Sequence, residues 1–508
     1  MKKRCRLMAA VLCCLLLCGC VEQIEERAPV ERIDSDIEVV YDAPQGDMTS
    51  SRVIDAVLHF LSLDGTQLVS TVRSIYVSNN MTQAEAALRA LLSGPAQSGL
   101  REVAPGVELQ SGSNAVEVSN GVVTVNLSFQ ARTLEPQQLH AARVAIANTL
   151  TELPDVDYVN VLVEGREEGQ DLGAQIPTGT LSRSDGDVAA LWTQLESQRT
   201  DGSLTRMATI YYPMPGASYM VPEVHAITFS EMSTAGYTAG LLEEWGLGAT
   251  GVQGSPETFS PLDYLIGLPD ETRLEGSTYN VVRLNFSQDI EAALQEAGIP
   301  QGLFLAMMTY TITGFVPMID GVVVHFGGRL IDALDAQDMP DGQARTFDGG
   351  VLMRSDFADC LGEFCRLYFP TQDGDMLVGV NRPAAQKQSF APRALIRQLL
   401  EGPQRADAKE GLAPALPEGV SDADILGLQI VDDVMLINVS QAFADACAQL
   451  DAQEERNVVY TIVNTMTELP QVRRVCFFVG GKQVETLGGA MEMRGYFMRN
   501  PGIILQED

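Results

Sequence analysis

Asn148-Thr149-Leu150-Thr151-Glu152-Leu153-Pro154 returns far down the chain as Asn464-Thr465-Met466-Thr467-Glu468-Leu469-Pro470. Such an ordered mixture of polar and apolar residues points to a repeat, which the flanks extend. Before the two phrases lie strand-like runs with a common ending, Val123-Thr124-Val125-Asn126-Leu127-Ser128 and Met435-Leu436-Ile437-Asn438-Val439-Ser440. A third run of this kind, Val282-Arg283-Leu284-Asn285-Phe286-Ser287, stands between them. The middle copy of the opening phrase is degraded to Thr309-Tyr310-Thr311-Ile312-Thr313-Gly314-Phe315. After each phrase comes a β-branched or aromatic run, Tyr158 to Val163, Val322 to Phe326 and Val475 to Val479, meeting a glycine at Gly165, Gly327 and Gly480. The tails echo as Arg183-Ser184-Asp185, Arg354-Ser355-Asp356 and Arg494-Gly495.

The third copy predicts its elements most directly. A strand at Arg366 to Phe369 and a return strand at Met376 to Val380 flank the turn residues Asp373-Gly374-Asp375. Leu395, Ile396, Leu399 and Leu400 share one face of a helix from Pro392 to Leu400, which Gly402-Pro403 stops. Ile425 to Val431 and Val434 to Val439 form a second hairpin about Asp432-Asp433. The main helix runs from Glu454 to Thr467, with Val458, Ile462, Val463 and Met466 as its stripe. Copy one repeats this order, with helices from Thr82 to Ser93 and Gln137 to Leu150. In copy two the expected helices are Gly236 to Glu244 and one beginning near Ile290. The fold class is therefore α+β, as tandem repeated domains, each with two main helices on a small mixed or antiparallel sheet.

Composition sets the expected boundaries. Lys2, Lys3, Arg4 and Arg6 precede a short apolar run that ends Leu17-Cys18-Gly19-Cys20. This order makes residues 1–19 a lipoprotein signal peptide, with Cys20 the lipidated first residue of the mature chain. Residues 20–50 form an acidic stalk lifting the first domain from the membrane. The domains are expected at 51–187, 204–358 and 359–498, with a linker at 188–203 and a tail at 499–508.

The predicted location is the outer side of a cell membrane, held by lipid. The signal contains four of the 34 basic residues and none of the 67 acidic ones. Such acidity excludes nucleic acid and anionic lipid surfaces as partners. Five cysteines lie in or at the end of the signal; Cys360, Cys365, Cys447 and Cys476 remain. Cys360 and Cys365 are spaced for a small disulfide loop, and buried reduced thiols are the other reading.

Catalytic and metal motifs are missing from the sequence. His59, His140, His225 and His325 have no ligand spacing. Gly246, Gly248, Gly251 and Gly254 superficially resemble a phosphate loop but lack the Gly-Lys-Ser/Thr ending. No cofactor, metal or catalytic residue is therefore assigned. Asn126, Asn285 and Asn438 are read as strand-end hydrogen bonders, and Asn148 and Asn464 as ties between a helix and an adjacent strand. Their other reading is a repeated ligand site.

The phrases Leu367-Tyr368-Phe369, Leu399-Leu400-Glu401-Gly402-Pro403, Ile437-Asn438-Val439-Ser440 and Asn464 to Leu469 resemble the GerMN domain family. Copy one resembles it through Leu91-Leu92-Ser93-Gly94-Pro95, Asn126-Leu127-Ser128 and Asn148 to Leu153. The likeness covers roughly 54–165 and 364–487, is weaker in the middle, and departs from tandem relatives in having three copies. It implies a non-enzymatic envelope lipoprotein of a spore-forming bacterium, with a fold similar to the ring-building motifs of secretion machines. The implied work is assembly or stabilisation of a sporulation or germination complex, through envelope proteins or self-association. A peptidoglycan or small-ligand module and a cell-wall hydrolase are the alternatives.

Overall fold

The computed structural model describes residues 41–48, 51–78, 81–112, 115–171, 175–198, 203–274, 278–386, 391–404 and 411–505. The expected signal, Cys20 and most of the stalk lie outside these residues. The chain divides into two units, Met1–Asp42 and Ala43–Asp508. All the helices and strands described belong to the second unit.

Three apolar clusters form three consecutive modules. In the first module, β1 (Ser51–Ser62) and β2 (Leu68–Ser78) make an antiparallel hairpin. Helix α1 (Gln83–Leu92) comes next, its N-terminus capped by the Thr82 hydroxyl. Strands β3 (Val116–Ser119) and β4 (Val122–Leu127) pair antiparallel. Helix α2 (Pro136–Leu150) then carries the chain back to β5 (Tyr158–Val163), parallel to β4. A parallel pair needs such a crossover, and α2 supplies it. Its proline stands at the first turn, where a missing N–H costs no helical bond.

Helix α3 (Val188–Gln198) joins the first two modules. Val188 is buried in the first cluster, while Trp192 and Leu195 pack on the second. The second module repeats the hairpin as β6 (Leu204–Pro213) and β7 (Met220–Phe229). Helix α4 (Thr234–Leu247) comes after it, then β8 (Asp270–Arg273) and β9 (Asn280–Phe286). The helix near Ile290 is a short α5 (Asp289–Ala297), not the main helix. It ends at left-handed Gly298; the main crossover is α6 (Gln301–Thr313), leading to β10 (Gly321–Phe326) beside β9. All residues from Gly302 to Thr313 are buried, so α6 has no polar stripe from which helical periodicity is read.

The third module has the hairpin β11 (Gly362–Pro370) and β12 (Leu377–Ala385), then α7 (Pro392–Glu401). Strands β13 (Ile425–Val431) and β14 (Val434–Val439) form its second hairpin. After α8 (Gln441–Cys447), the main helix α9 (Ala452–Met466) returns the chain to β15 (Arg474–Val479), parallel to β14. Asp451 and Glu454 form a reciprocal capping box at the start of α9. The last strand is β16 (Phe497–Met498), paired with β15. The architecture is thus α+β, with antiparallel hairpins and mixed sheets.

The end of the expected stalk and part of the expected tail are fastened to the third module. Pro44 to Met48 lies along the third module: Gly46 N donates to Leu426 O at 2.9 Å and Met48 N to Leu428 O at 3.0 Å. Asp47 pairs with two nitrogens of the Arg393 guanidinium, at 2.6 and 2.7 Å. A side chain at Gly427 would stand 2.4 Å from Pro44 O, so glycine permits this approach. At the other end, Leu505 N donates to Leu377 O at 2.8 Å and continues the edge of β12.

Candidate functional site

The repeated polar residues meet the first hairpin of each module. Thr149 accepts the backbone N–H of His59 at 3.0 Å, Thr311 that of Tyr211 at 3.1 Å, and Thr465 that of Tyr368 at 3.2 Å. This bond places Thr311, not Tyr310, opposite Thr149 and Thr465. Asn148 and Asn464 each bind a returning tail: their Oδ1 atoms accept from Ser184 N at 2.9 Å and Asn500 N at 3.0 Å. Arg183 pairs with Glu152, and Arg499 with Glu468. The third tail equivalent is therefore Arg499-Asn500 and not Arg494-Gly495. Replacing Thr465 with valine keeps the shape but strands the buried Tyr368 N–H. It is expected to lower unfolding free energy by about 1–3 kcal/mol in denaturant titration. An unchanged midpoint would refute this role.

The middle copy breaks the pattern, and the break joins two modules. Gly314 replaces Glu152 and Glu468, so Arg354 has no acidic partner on its own helix end. Its Nη2 instead reaches Glu117 Oε2 of β3 at 2.9 Å, and its Nη1 donates to Tyr310 O at 3.1 Å. Both charged side chains are buried, at 6% and 7% exposure. The guanidinium also lies 3.8 Å from the centre of the Tyr310 ring. Nearby, Arg166 pairs with Asp320 at 2.7 Å.

Asn126, Asn285 and Asn438 occupy the penultimate positions of β4, β9 and β14, where each strand runs parallel to its neighbour. Asn438 is fully buried; its Nδ2 donates to Pro44 O at 2.9 Å and its Oδ1 accepts from Gly481 N at 3.0 Å. The turn after β15 has two consecutive positive φ angles, at Gly480 and Gly481. Glu164-Gly165 and Gly327-Gly328 repeat it, which moves the glycine equivalence to Gly165, Gly328 and Gly481. Asn126 lines a cleft of about 560 Å³ between the first two modules. Arg132, Arg166, Arg273 and Arg354 face Glu117, Glu164 and Asp320 around it. The five repeated asparagines are thus spread over separate places rather than gathered in one site.

The glycine-rich stretch binds an anion from within the chain. Thr250 N, Gly251 N and Val252 N donate to the Glu223 carboxylate at 2.9, 2.8 and 2.8 Å. Burial alone would raise the acid's pKa, but these backbone bonds and His225 outweigh it and hold it below the ordinary value. His225 lies between Glu223 and Glu244, at 3.1 and 2.8 Å.

The remaining candidates are structural. Cys360, Cys365, Cys447 and Cys476 are buried free thiols. Cys360 belongs to the second apolar cluster and Cys365 to the third, so the expected small disulfide loop is not formed. Among the described residues, no group of three or more His, Cys, Asp or Glu is placed to hold a metal ion. No helix among them is long and apolar enough to cross a membrane.

His140 is buried in α2, its ring 5.7 Å from that of Trp192. Burial first, then Arg143 and Arg206, push its pKa down from 6.5 to about 4. The unfolded imidazole gains a proton below 6.5 while the folded one stays neutral to about 4. Stability from neutral His140 is therefore full above that upper value and is lost on acidification, by roughly 3 kcal/mol across the window. His140→Gln should flatten this part of the unfolding-energy profile; identical acid profiles for the two proteins would refute the assignment.

Alternation alone does not say what covers a strand, and one exposed surface has no sequence motif for that reason. On the outer face of the first hairpin, Val53, Val72 and Tyr76 are 54%, 69% and 78% exposed. Val53 faces Tyr76, and Val57 faces Val72, across β1 and β2. The same face of the second hairpin carries Tyr211, 2% exposed beneath the Arg354 guanidinium.

Residues 57–169 and 366–485 match the family model described as "Germane: Sporulation and spore germination". No curated protein matches. The tandem GerMN domains of the sporulation protein GerM from Bacillus subtilis are 22% identical, over 55% of this chain and 92% of that chain, with a TM-score of 0.21. A putative lipoprotein from Clostridium perfringens is 26% identical, over 27% of this chain and 87% of that chain, with a TM-score of 0.19. The first GerMN domain of GerM alone is 18% identical, over 26% of this chain and 96% of that chain, with a TM-score of 0.19. The two family-model matches support a GerMN-domain assignment for the first and third modules.

Proposed function

We propose that this chain is a non-enzymatic cell-envelope lipoprotein that assembles or stabilises a sporulation or germination complex through protein contacts. The reading rests on the two segments similar to a sporulation and spore germination family, one on either side of a divergent middle module. In this proposal residues 1–19 are removed and Cys20 is lipidated on the outer side of the membrane. The modules are then 51–187, 204–358 and 359–498. Three modules on one chain offer several contact surfaces, so weak contacts combine when geometry permits.

Crosslinking in intact sporulating cells, followed by mass spectrometry, tests the partner claim. Envelope-complex proteins joined to these modules are the expected result. Capture of wall fragments alone, with their cleavage by the purified chain, would replace this reading with the hydrolase. Mass spectrometry of native material tests the anchor, and an unmodified mature Cys20 would overturn it. Arg273 in this cleft favours the peptidoglycan or small-ligand alternative, because a guanidinium suits a carboxylate, whereas Arg132, Arg166 and Arg354 already pair with carboxylates of the chain. Titration with soluble muropeptides separates that alternative: saturable binding lost on Arg273→Ala supports it.

A further inference from the structure

The second strand of the three hairpins differs in a way that bears on assembly. β7 contains Pro222 and Glu223, and β12 contains Gly379, Arg382 and Pro383. Proline and charge on an edge strand block pairing with another chain. β2 reads Leu-Val-Ser-Thr-Val-Arg-Ser-Ile-Tyr-Val-Ser, with no proline, glycine or acid and a single charge, at Arg73. It is the outer strand of its sheet, whose order is β2, β1 and then residues 100–101. Among the described residues its start is covered, as Leu68 N donates to Gly186 O at 2.9 Å and Gln67 bridges Asp187; at its end Ser78 O accepts from Met81 N at 3.0 Å, and the Arg73 guanidinium donates to Ala90 O and Gly94 O at 2.9 and 2.8 Å. β7 by contrast meets the body of its own chain, where Asn120 Nδ2 donates to Pro222 O at 2.8 Å. β12 is continued by Leu505.

We propose that the β2 edge is a self-association surface, pairing antiparallel with β2 of a second copy of this chain. This rests on the assembly reading and gives its self-association a place. Charge does not bar a second copy at this edge. A chain with 67 acidic against 34 basic residues repels itself generally, yet this strand brings no acid to the contact. The strand is also self-complementary. With Val72 opposite its own copy, Thr71 meets Arg73, Ser70 meets Ser74 and Val69 meets Ile75, so the two Arg73 charges are not opposed. The pairing stops at Leu68, where Gly186 already takes the edge. The result is a two-fold dimer with a continuous sheet across both hairpins.

Sedimentation equilibrium of the full-length chain in density-matched detergent tests this, over a concentration series. The wild type should show a monomer–dimer equilibrium. Val72→Lys, which sets two ammonium groups together at the axis, should give monomer. At concentrations where both proteins are monomeric its thermal midpoint should match the wild type, because Val72 is 69% exposed. Val72→Cys should give a disulfide-linked dimer on mild oxidation. A wild type that stays monomeric, or a Val72→Lys variant that dimerises like it, would overturn the proposal. The result is independent of cellular crosslinking: an absence of envelope partners leaves the dimer standing, and a monomer leaves those partners standing.

Discussion

Glu117→Ala should destabilise the protein by about 3–5 kcal/mol in denaturant unfolding, because it leaves the buried Arg354 guanidinium without its carboxylate. The two side chains belong to different modules and share one hydrogen bond, at 2.9 Å. Arg354 is only 5% exposed, so the cleft it borders gives water little access to the guanidinium. Removing both charges, as Glu117→Leu with Arg354→Met, should restore much of the loss; a double-mutant cycle then isolates the coupling. If Glu117→Ala costs less than about 1 kcal/mol, the pair has the weight of a surface bridge and does not lock the modules.

Arg143→Met should have a similar effect within the first module. Arg143 and Glu167 both have fully buried side chains and pair at 3.0 Å. Thr178 Oγ1 accepts from Arg143 at 2.5 Å, and Gly169 N donates to the carboxylate at 2.8 Å. Methionine fills the space of the stem but leaves a buried anion, at an expected cost of about 3–5 kcal/mol. The Glu167 backbone also bonds to Thr313 O and Met318 N of the second module. Cooperative unfolding should therefore split or broaden as well as shift. A single transition with an unchanged midpoint would count against this anchoring role. Met at both positions should be more stable than Arg143→Met alone.

Much of the repeat is written in local pattern, and the failures have physical causes. β13, β14 and β15 lie where alternation and the Asp432-Asp433 turn put them. α9 is legible because one face is polar and its capping box marks the start. α6 is hidden by the opposite condition, burial on every side, and the amphipathic α5 before it carries the pattern expected of the main helix. Asn438 lies near the end of its expected strand, but its partners Pro44 O and Gly481 N are distant in the chain, beyond the reach of a local reading. The glycine-rich insert resembles a phosphate loop only superficially and lacks its ending, yet it does hold an anion, Glu223, whose arrival depends on the β6–β7 hairpin. The Glu117–Arg354 pair was invisible for the same reason: no spacing rule connects side chains brought together by two modules. The one local trace of it is Gly314 in place of Glu152 and Glu468, a missing partner that requires its arginine to turn elsewhere.

The fastening of residues 44–48 to the third module also sets a load path. A pull arriving through the chain before Ala43 meets the bonds at Gly46 and Met48 and the Asp47–Arg393 clamp before it reaches β1. Tension would be taken up by the module that comes last in sequence, and the first hairpin would stay slack until that clamp had slipped.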